Sequence, residues 1–238
     1  MKSVAVVQSC YIPWKGYFDL IALVDEFILF DDRQYTKNDW RNRNRIKTAQ
    51  GAQWLTIPIA QSGRHGQRID EAEAADLRWP AKHWRAIAQN YSRAPFFDEQ
   101  AERFERIYAT LEDRRLAAVN RRFIGAICES LGIATPISES TEYAVDGDRS
   151  ERVLALCRAA GATRYLSGPS ARSYLDVELF REAGIDVRFM DYGGYPVYPQ
   201  LYPPFDHAVT ALDLIFNVGT DARRYLKSHA LEATAAAG

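Results

Sequence analysis

A chain of 238 residues, 47% of them hydrophobic, can fill a sizeable core, which excludes a disordered polymer. Its 30 basic and 31 acidic residues leave a net charge of -1, so no global field would hold it on DNA or on an anionic membrane, and any anion site must be local. Cys10, Cys128 and Cys157 are odd in number, widely spaced and free of CxxC pairing, which fits a reducing compartment and argues against a disulfide framework or a cysteine zinc site.

At the N terminus no basic region leads into a long apolar stretch with a cleavage site. No uncharged run approaches the roughly 20 residues of a membrane helix. The expectation is a cytoplasmic protein with no membrane span and no nucleic-acid partner. The tail "LEATAAAG" offers nothing to pack and is expected to fray.

The run "SVAVV" predicts a buried parallel strand, and "GYFDLIALV" predicts a helix through Tyr17, Leu20, Ile21 and Val24. "EFILF" predicts a second buried strand. A strand-helix-strand crossover puts both strand ends on one edge of a sheet, so "QSCYIPWK" and "DDRQY" should face each other. From Trp79 to Gly132 the apolar spacing is helical throughout, predicting a helical insertion or cap. A second α/β unit follows: helix in "DRSERVLALCRAAGA", strand end in "TRYLSG", helix in "PSARSYLDVELFREAG" and strand in "IDVRFMDY". "GGYPVYPQLYPPF" is too rich in Pro and Gly for a central strand, and "HAVTALDLIFNVG" returns to helix. The fold class predicted is α/β, a Rossmann-like open, mainly parallel sheet. Its units are 1–78, a helical insertion at 79–134 and 135–230, which also fit one composite domain.

Four stretches carry candidate chemistry. "FDDRQYTKNDWRNRNRIK" sets Arg33, Lys37, Arg41, Arg43, Arg45 and Lys47 against Asp31, Asp32 and Asp39. If extended, it turns Arg41, Arg43, Arg45 and Lys47 to one face, a row suited to phosphate or carboxylate and equally to a solvated edge strand. Asp31 and Asp32 at a strand end are candidate Mg²⁺ ligands, with Asp32 also a candidate base; ion pairing with nearby arginines is the structural alternative. In "PWKGYF", Gly16 opens a helix with Lys15 beside it, an anion device, while Tyr11 and Trp14 are candidates for stacking on a base or sugar, or else core plugs. In "LSGPSARSYL", Ser167 and Gly168 end a strand, Ser170 is placed to cap the next helix and Arg172 lies in its first turn, a second anion pocket or an ordinary capped helix. GxGxxG, GxxxxGK[ST] and GxSxG are missing, and His65, His83, His207 and His229 lack metal spacing.

"QSCYIPWKGYFDLI", "FDDRQYTKNDWRNRNRIK", "WLTIPI", "YLSGPSARSYLD" and "YPQLYPPF…LDLIFNVG" resemble the WbqC-like protein family in order and over nearly the whole chain. The resemblance marks Gln8, Tyr11, Pro13, Trp14, Gly16, Asp32, Gln34, Tyr35, Trp40, Asn42, Arg43, Lys47, Ser167, Gly168, Tyr174, Gln200, Asp213 and Asn217. Ser9 departs from the proline that members commonly carry there. The family occurs in O-antigen, other surface-polysaccharide and specialised biosynthetic clusters, and a glycine-transferase role on an amino sugar has been suggested for it. What it implies is aminoacyl or acyl transfer to an amine on a nucleotide-linked amino sugar, with ATP and Mg²⁺ as candidate cofactors. Lys37, Arg43 and Lys47 would hold phosphate, Asp32 would bind Mg²⁺ or take the amine proton, and Trp14 and Trp40 would stack. The alternatives are a nucleotidylyltransferase and a non-catalytic sugar-nucleotide-binding protein.

Overall fold

A computed structural model describes residues 1–236. In chain order it contains β1 (Ser3–Val7), α1 (Lys15–Ala22), β2 (Glu26–Leu29), β3 (Arg43–Thr48) and β4 (Gly51–Thr56). The helices α2 (Trp79–Tyr91), α3 (Phe97–Ala109) and α4 (Leu116–Ser130) follow. Then come β5 (Ile137–Glu139), α5 (Arg149–Ala159), β6 (Arg164–Ser167), α6 (Val177–Glu182), β7 (Asp186–Phe189), α7 (Ala211–Val218) and α8 (Lys227–Ala236). The tail expected to fray is helical as far as Ala236; its last two positions lie outside the described residues.

Five strands form one parallel sheet in the order β5-β2-β1-β6-β7, and β3 and β4 form a separate antiparallel hairpin. The chain moves outward from β1 through β2 to β5, then returns to the other side of β1 for β6 and β7. Strand order therefore reverses between β1 and β6, and in an open α/β sheet ligands bind outside the carboxyl ends of the strands at such a point. Alternation along the strands sorts the side chains into two cores. Ala5, Phe27 and Leu29 pack with α1, α4 and α7, whereas Val4, Val6 and Ile28 pack with Leu156, Cys157 and Phe180 of α5 and α6. Phe104, Phe123 and Ile127 of the helical block belong to the same core as Ala5 and Phe27, so that block is a layer of the sheet's own core.

The helix expected over "PSARSYLDVELFREAG" is broken. A short 3-10 turn covers Pro169–Ser173, and α6 starts only after Asp176, whose carboxylate accepts from Leu179 N at 3.2 Å. Asp176, not Ser170, is the cap. No helix among the described residues is long and apolar enough to cross a membrane.

Candidate functional site

At the carboxyl edge of β1, β2 and β6 lies a cleft of about 860 Å³. Its floor is apolar, from Val6, Phe30, Val153 and Tyr165, and its polar groups include Gln8 after β1, Gln34 after β2, and Ser167, Gly168 and Ser170 at and after β6. Three arginines line it, Arg33, Arg41 and Arg149, and no carboxylate or imidazole does. Arg41 donates from Nη1 to Gln8 Oε1 at 2.8 Å, which fixes both side chains across the two loops. The guanidinium of Arg33 sits 4.6 Å from the Phe30 ring centroid and donates from Nε to Asp32 Oδ1 at 3.4 Å, a long bond. Arg149 begins α5 with φ at +46°, in the left-handed region that a non-glycine residue rarely occupies. It has no carboxylate partner within salt-bridge distance among the described residues. Strain of this kind persists where the surroundings over-determine it, and here it places a free cation at the rim of the cleft.

The two acidic candidates face apart. Asp31 is buried, accepts from Ser9 N at 2.8 Å, and has its carboxyl pushed up to about 6 by burial, against the pull of that bond and of Arg41. Asp32 accepts from Arg152 Nη2 at 2.7 Å and Ser140 Oγ at 3.0 Å; burial raises its pKa, but the bonds from Arg33, Arg152 and Ser140 outweigh it and leave the carboxyl below its ordinary value. Both oxygens of Asp32 are committed, so this pair does not fit as a Mg²⁺ site and Asp32 is a poor proton acceptor. Among the described residues no three His, Cys, Asp or Glu side chains converge as metal ligands.

The loop from Tyr11 to Gly16 faces the residues after β2 as expected, with Tyr11 N donating to Trp40 O at 3.0 Å. Its named side chains, however, turn away from the cleft. Tyr11 is fully buried and its hydroxyl meets His83 Nδ1 at 2.9 Å and Tyr108 Oη at 2.6 Å. Trp14 folds back over Gly16, where a Cβ would stand 2.3 Å from Trp14 Cζ2, and its outer edge meets Tyr192 and Tyr195. The start of α1 is roofed by a strap, residues 191–210, with Ala211 N closing onto Pro13 O at 2.8 Å. Lys15 is buried beneath it, donating to Pro196 O at 3.0 Å with the Tyr195, Tyr198 and Phe205 rings within 5.9 Å; burial pushes its pKa down to about 8. The anion device expected at Lys15 and Gly16 is thus filled by the protein's own chain.

Lys47 and Gln200 belong to the same buried assembly. Lys47 Nζ donates to Pro204 O, and Gln200 Nε2 to Asp213 Oδ1 at 2.8 Å, alongside Tyr91 and Tyr198, whose hydroxyls donate to Asp213 at 2.8 and 2.7 Å. The basic row is therefore interrupted. Lys47 is turned in, Arg43 and Arg45 lie over the Trp54 ring at 4.2 and 5.7 Å, and only Arg41 reaches the cleft. Asn42 is buried against Ile57 O at 2.8 Å, Tyr35 is buried, and Lys37 and Trp40 are exposed on the outside; none of these lines the cleft.

Of the candidates read from the sequence, the structure brings together Gln8, Gln34, Ser167, Gly168 and Ser170. Arg33 and Arg41 of the basic stretch and the exposed Tyr174, which the resemblance marks, join them, and the structure adds Arg149. Arg33 carried a signal as the first cation after β2 and the two aspartates that follow it. Arg149 carried none, since its reach depends on a backbone angle.

The sequence pattern that defines the WbqC-like protein family matches residues 8–225. The chain is 52% identical over 227 residues to Rv1507c, an uncharacterized protein of Mycobacterium tuberculosis, covering 95% of this chain and 98% of that relative. No solved structure matches it significantly.

Proposed function

The chain belongs to the WbqC-like protein family, and from that premise we propose that it transfers an aminoacyl or related acyl group, glycyl among them, to the amine of a nucleotide-linked amino sugar held in the switch-point cleft. The observation that carries this reading is the lining itself, three arginines without a carboxylate over an apolar floor. Planar guanidinium groups pair with the oxygens of a diphosphate. Arg149 has no carboxylate partner among the described residues, and Arg33 and Arg41 touch Asp32 and Asp39 only at 3.4 and 3.7 Å, which leaves charge for the ligand. The floor, with Tyr174 at the rim, offers surface to the base and the sugar.

In the transfer, the amine nitrogen attacks the acyl carbon. The bond from that carbon to its activating group breaks, the activating group leaves with the electron pair, and the nitrogen sheds one proton. Amide formation from a free carboxylate is uphill in water, so the acyl group arrives as an adenylate or on a carrier. Arg33, Arg41 and Arg149 hold the phosphates and orient the sugar, and with no carboxylate, imidazole or amine in the lining to accept it, the proton passes to solvent or to a ligand phosphate. That same lack of a lining base favours one second reading, a protein that holds a sugar nucleotide without turnover.

The test is incubation with ATP, Mg²⁺, glycine and a dTDP-amino sugar, followed by mass spectrometry of the sugar. A glycyl increment is the expected result. A nucleotidyl adduct would make the protein a nucleotidylyltransferase, and tight binding without new mass would establish the second reading.

A further inference from the structure

The hairpin β3–β4 is not used by the cleft, yet it holds the most segregated charge in the molecule. From Trp40 to Ile69 the chain carries six cations, Arg41, Arg43, Arg45, Lys47, Arg64 and Arg68, and no Asp or Glu, in a protein whose net charge is -1. Four of the six are engaged: Arg41 with Gln8, Lys47 with Pro204 O, Arg64 with Glu73 and Arg68 with Asp70. Arg43 and Arg45 have no carboxylate within salt-bridge distance among the described residues, and Lys37 is exposed close by in sequence.

Two indoles share this surface. Trp40 and Trp54 are each 42% exposed, their ring centroids are 5.4 Å apart, and the other three tryptophans of the chain are more deeply placed. Neither indole N–H donates to a protein acceptor among the described residues. Beside Trp54, β4 presents Gly51, Ala52 and Gln53 to solvent, an uncharged strip.

We propose that the Trp40–Trp54 face of this hairpin is a docking surface for an anionic lipid bilayer. A nucleobase or a pyranose ring would need a free indole face, and the Trp54 ring already has Trp40, Arg43 and Arg45 against it. A headgroup region makes a different demand, amphipathic rings beside cations, and this face offers two half-exposed indoles with Arg43 and Arg45 against Trp54. Docking by two indoles and the two arginines beside them is reversible and salt-sensitive, because the surface potential that attracts them falls off within a Debye length. This inference stands apart from the cleft, which shares none of Lys37, Trp40, Arg43, Arg45 or Trp54.

The experiment is co-sedimentation of the intact protein with phosphatidylcholine vesicles and with vesicles that also contain phosphatidylglycerol, at low and high salt, with tryptophan emission recorded in parallel. The expected result is at least about tenfold stronger partitioning to the anionic vesicles, a blue shift on binding, and loss of both at high salt. Trp40→Ala with Trp54→Ala, and separately Arg43→Gln with Arg45→Gln, should each weaken partitioning about tenfold while the melting temperature holds. Equal partitioning to both vesicle types would overturn the proposal. So would unchanged binding in both double variants, or retention on a single-stranded oligonucleotide or a polysaccharide through these residues with no vesicle binding. Arg149→Ala, a change in the cleft, should leave partitioning as it is, which separates failure here from failure of the transfer reading.

Discussion

The turn after β1 and the turn after β6 leave adjacent central strands at the same edge of the sheet, yet past Gln8 the first is roofed by the strap and the second stays open. The difference lies in what each turn offers its own chain. Tyr11, Trp14 and Lys15 present aromatic surface and a cation that Tyr195, Tyr198, Phe205 and the Pro196 carbonyl can cover. Ser167, Gly168 and Ser170 are small and offer nothing to cover. A strand-end turn becomes a ligand site only where the fold builds nothing over it, so an aromatic-rich turn is the weaker candidate.

The comparison is most severely tested at Asp213, which holds the strap through Tyr198 and Gln200 and ties it to α2 through Tyr91. Asp213→Ala removes a buried acceptor from all three and should lower stability by about 3–5 kcal/mol in urea unfolding. A loss near zero would mean that the strap is held elsewhere. At the open turn the expectation is reversed: Arg149→Ala should weaken sugar-nucleotide binding about 10- to 100-fold by calorimetry, with the melting temperature unchanged.

A smaller effect divides the two acidic residues between the turns. The folded carboxyl of Asp31, at about 6, lies above its unfolded value. Its favourable contribution is therefore present at low pH and lost as pH rises through 6, above which the fold holds a buried charge. Asp31→Asn keeps an acceptor for Ser9 N and should raise stability by about 1–2 kcal/mol at pH 7, a gain that vanishes near pH 4. A gain that persists at pH 4 would assign the effect to packing. Least affected should be the outer row: Lys37→Ala or Arg43→Ala should change cleft affinity by no more than about twofold, and a tenfold loss from either would move the ligand onto the hairpin.

Much of the sheet was legible because its strands are short apolar runs in an α/β order, and β1, α1, β2, β6 and β7 fall where the spacing puts them. The break in "PSARSYLDVELFREAG" was missed because helical spacing continues across it, while the cap at Asp176 depends on a local bond. The hairpin was half seen. Alternation exposed the strand of arginines, but its return depends on Gly51 at φ +106°, and "TAQGAQ" does not announce such a turn. The site divided along the same line. Residues next to strand ends, such as Gln8 and Ser167, could be read, whereas the fate of Asp32 was decided by Arg152, 120 positions away, and that of Lys47 by Pro204.

Asp19, fully buried in α1, sets an order of assembly. Its carboxylate receives Tyr195 Oη at 2.6 Å, Ser228 N at 2.7 Å and Lys227 N at 3.2 Å. All three donors are made about 180 to 210 residues after it, so on the ribosome the pocket around this carboxylate cannot close until α8 has emerged. A message truncated before codon 227 would yield the cleft's strands complete and their first helix unfinished, a species for chaperones and proteases to handle.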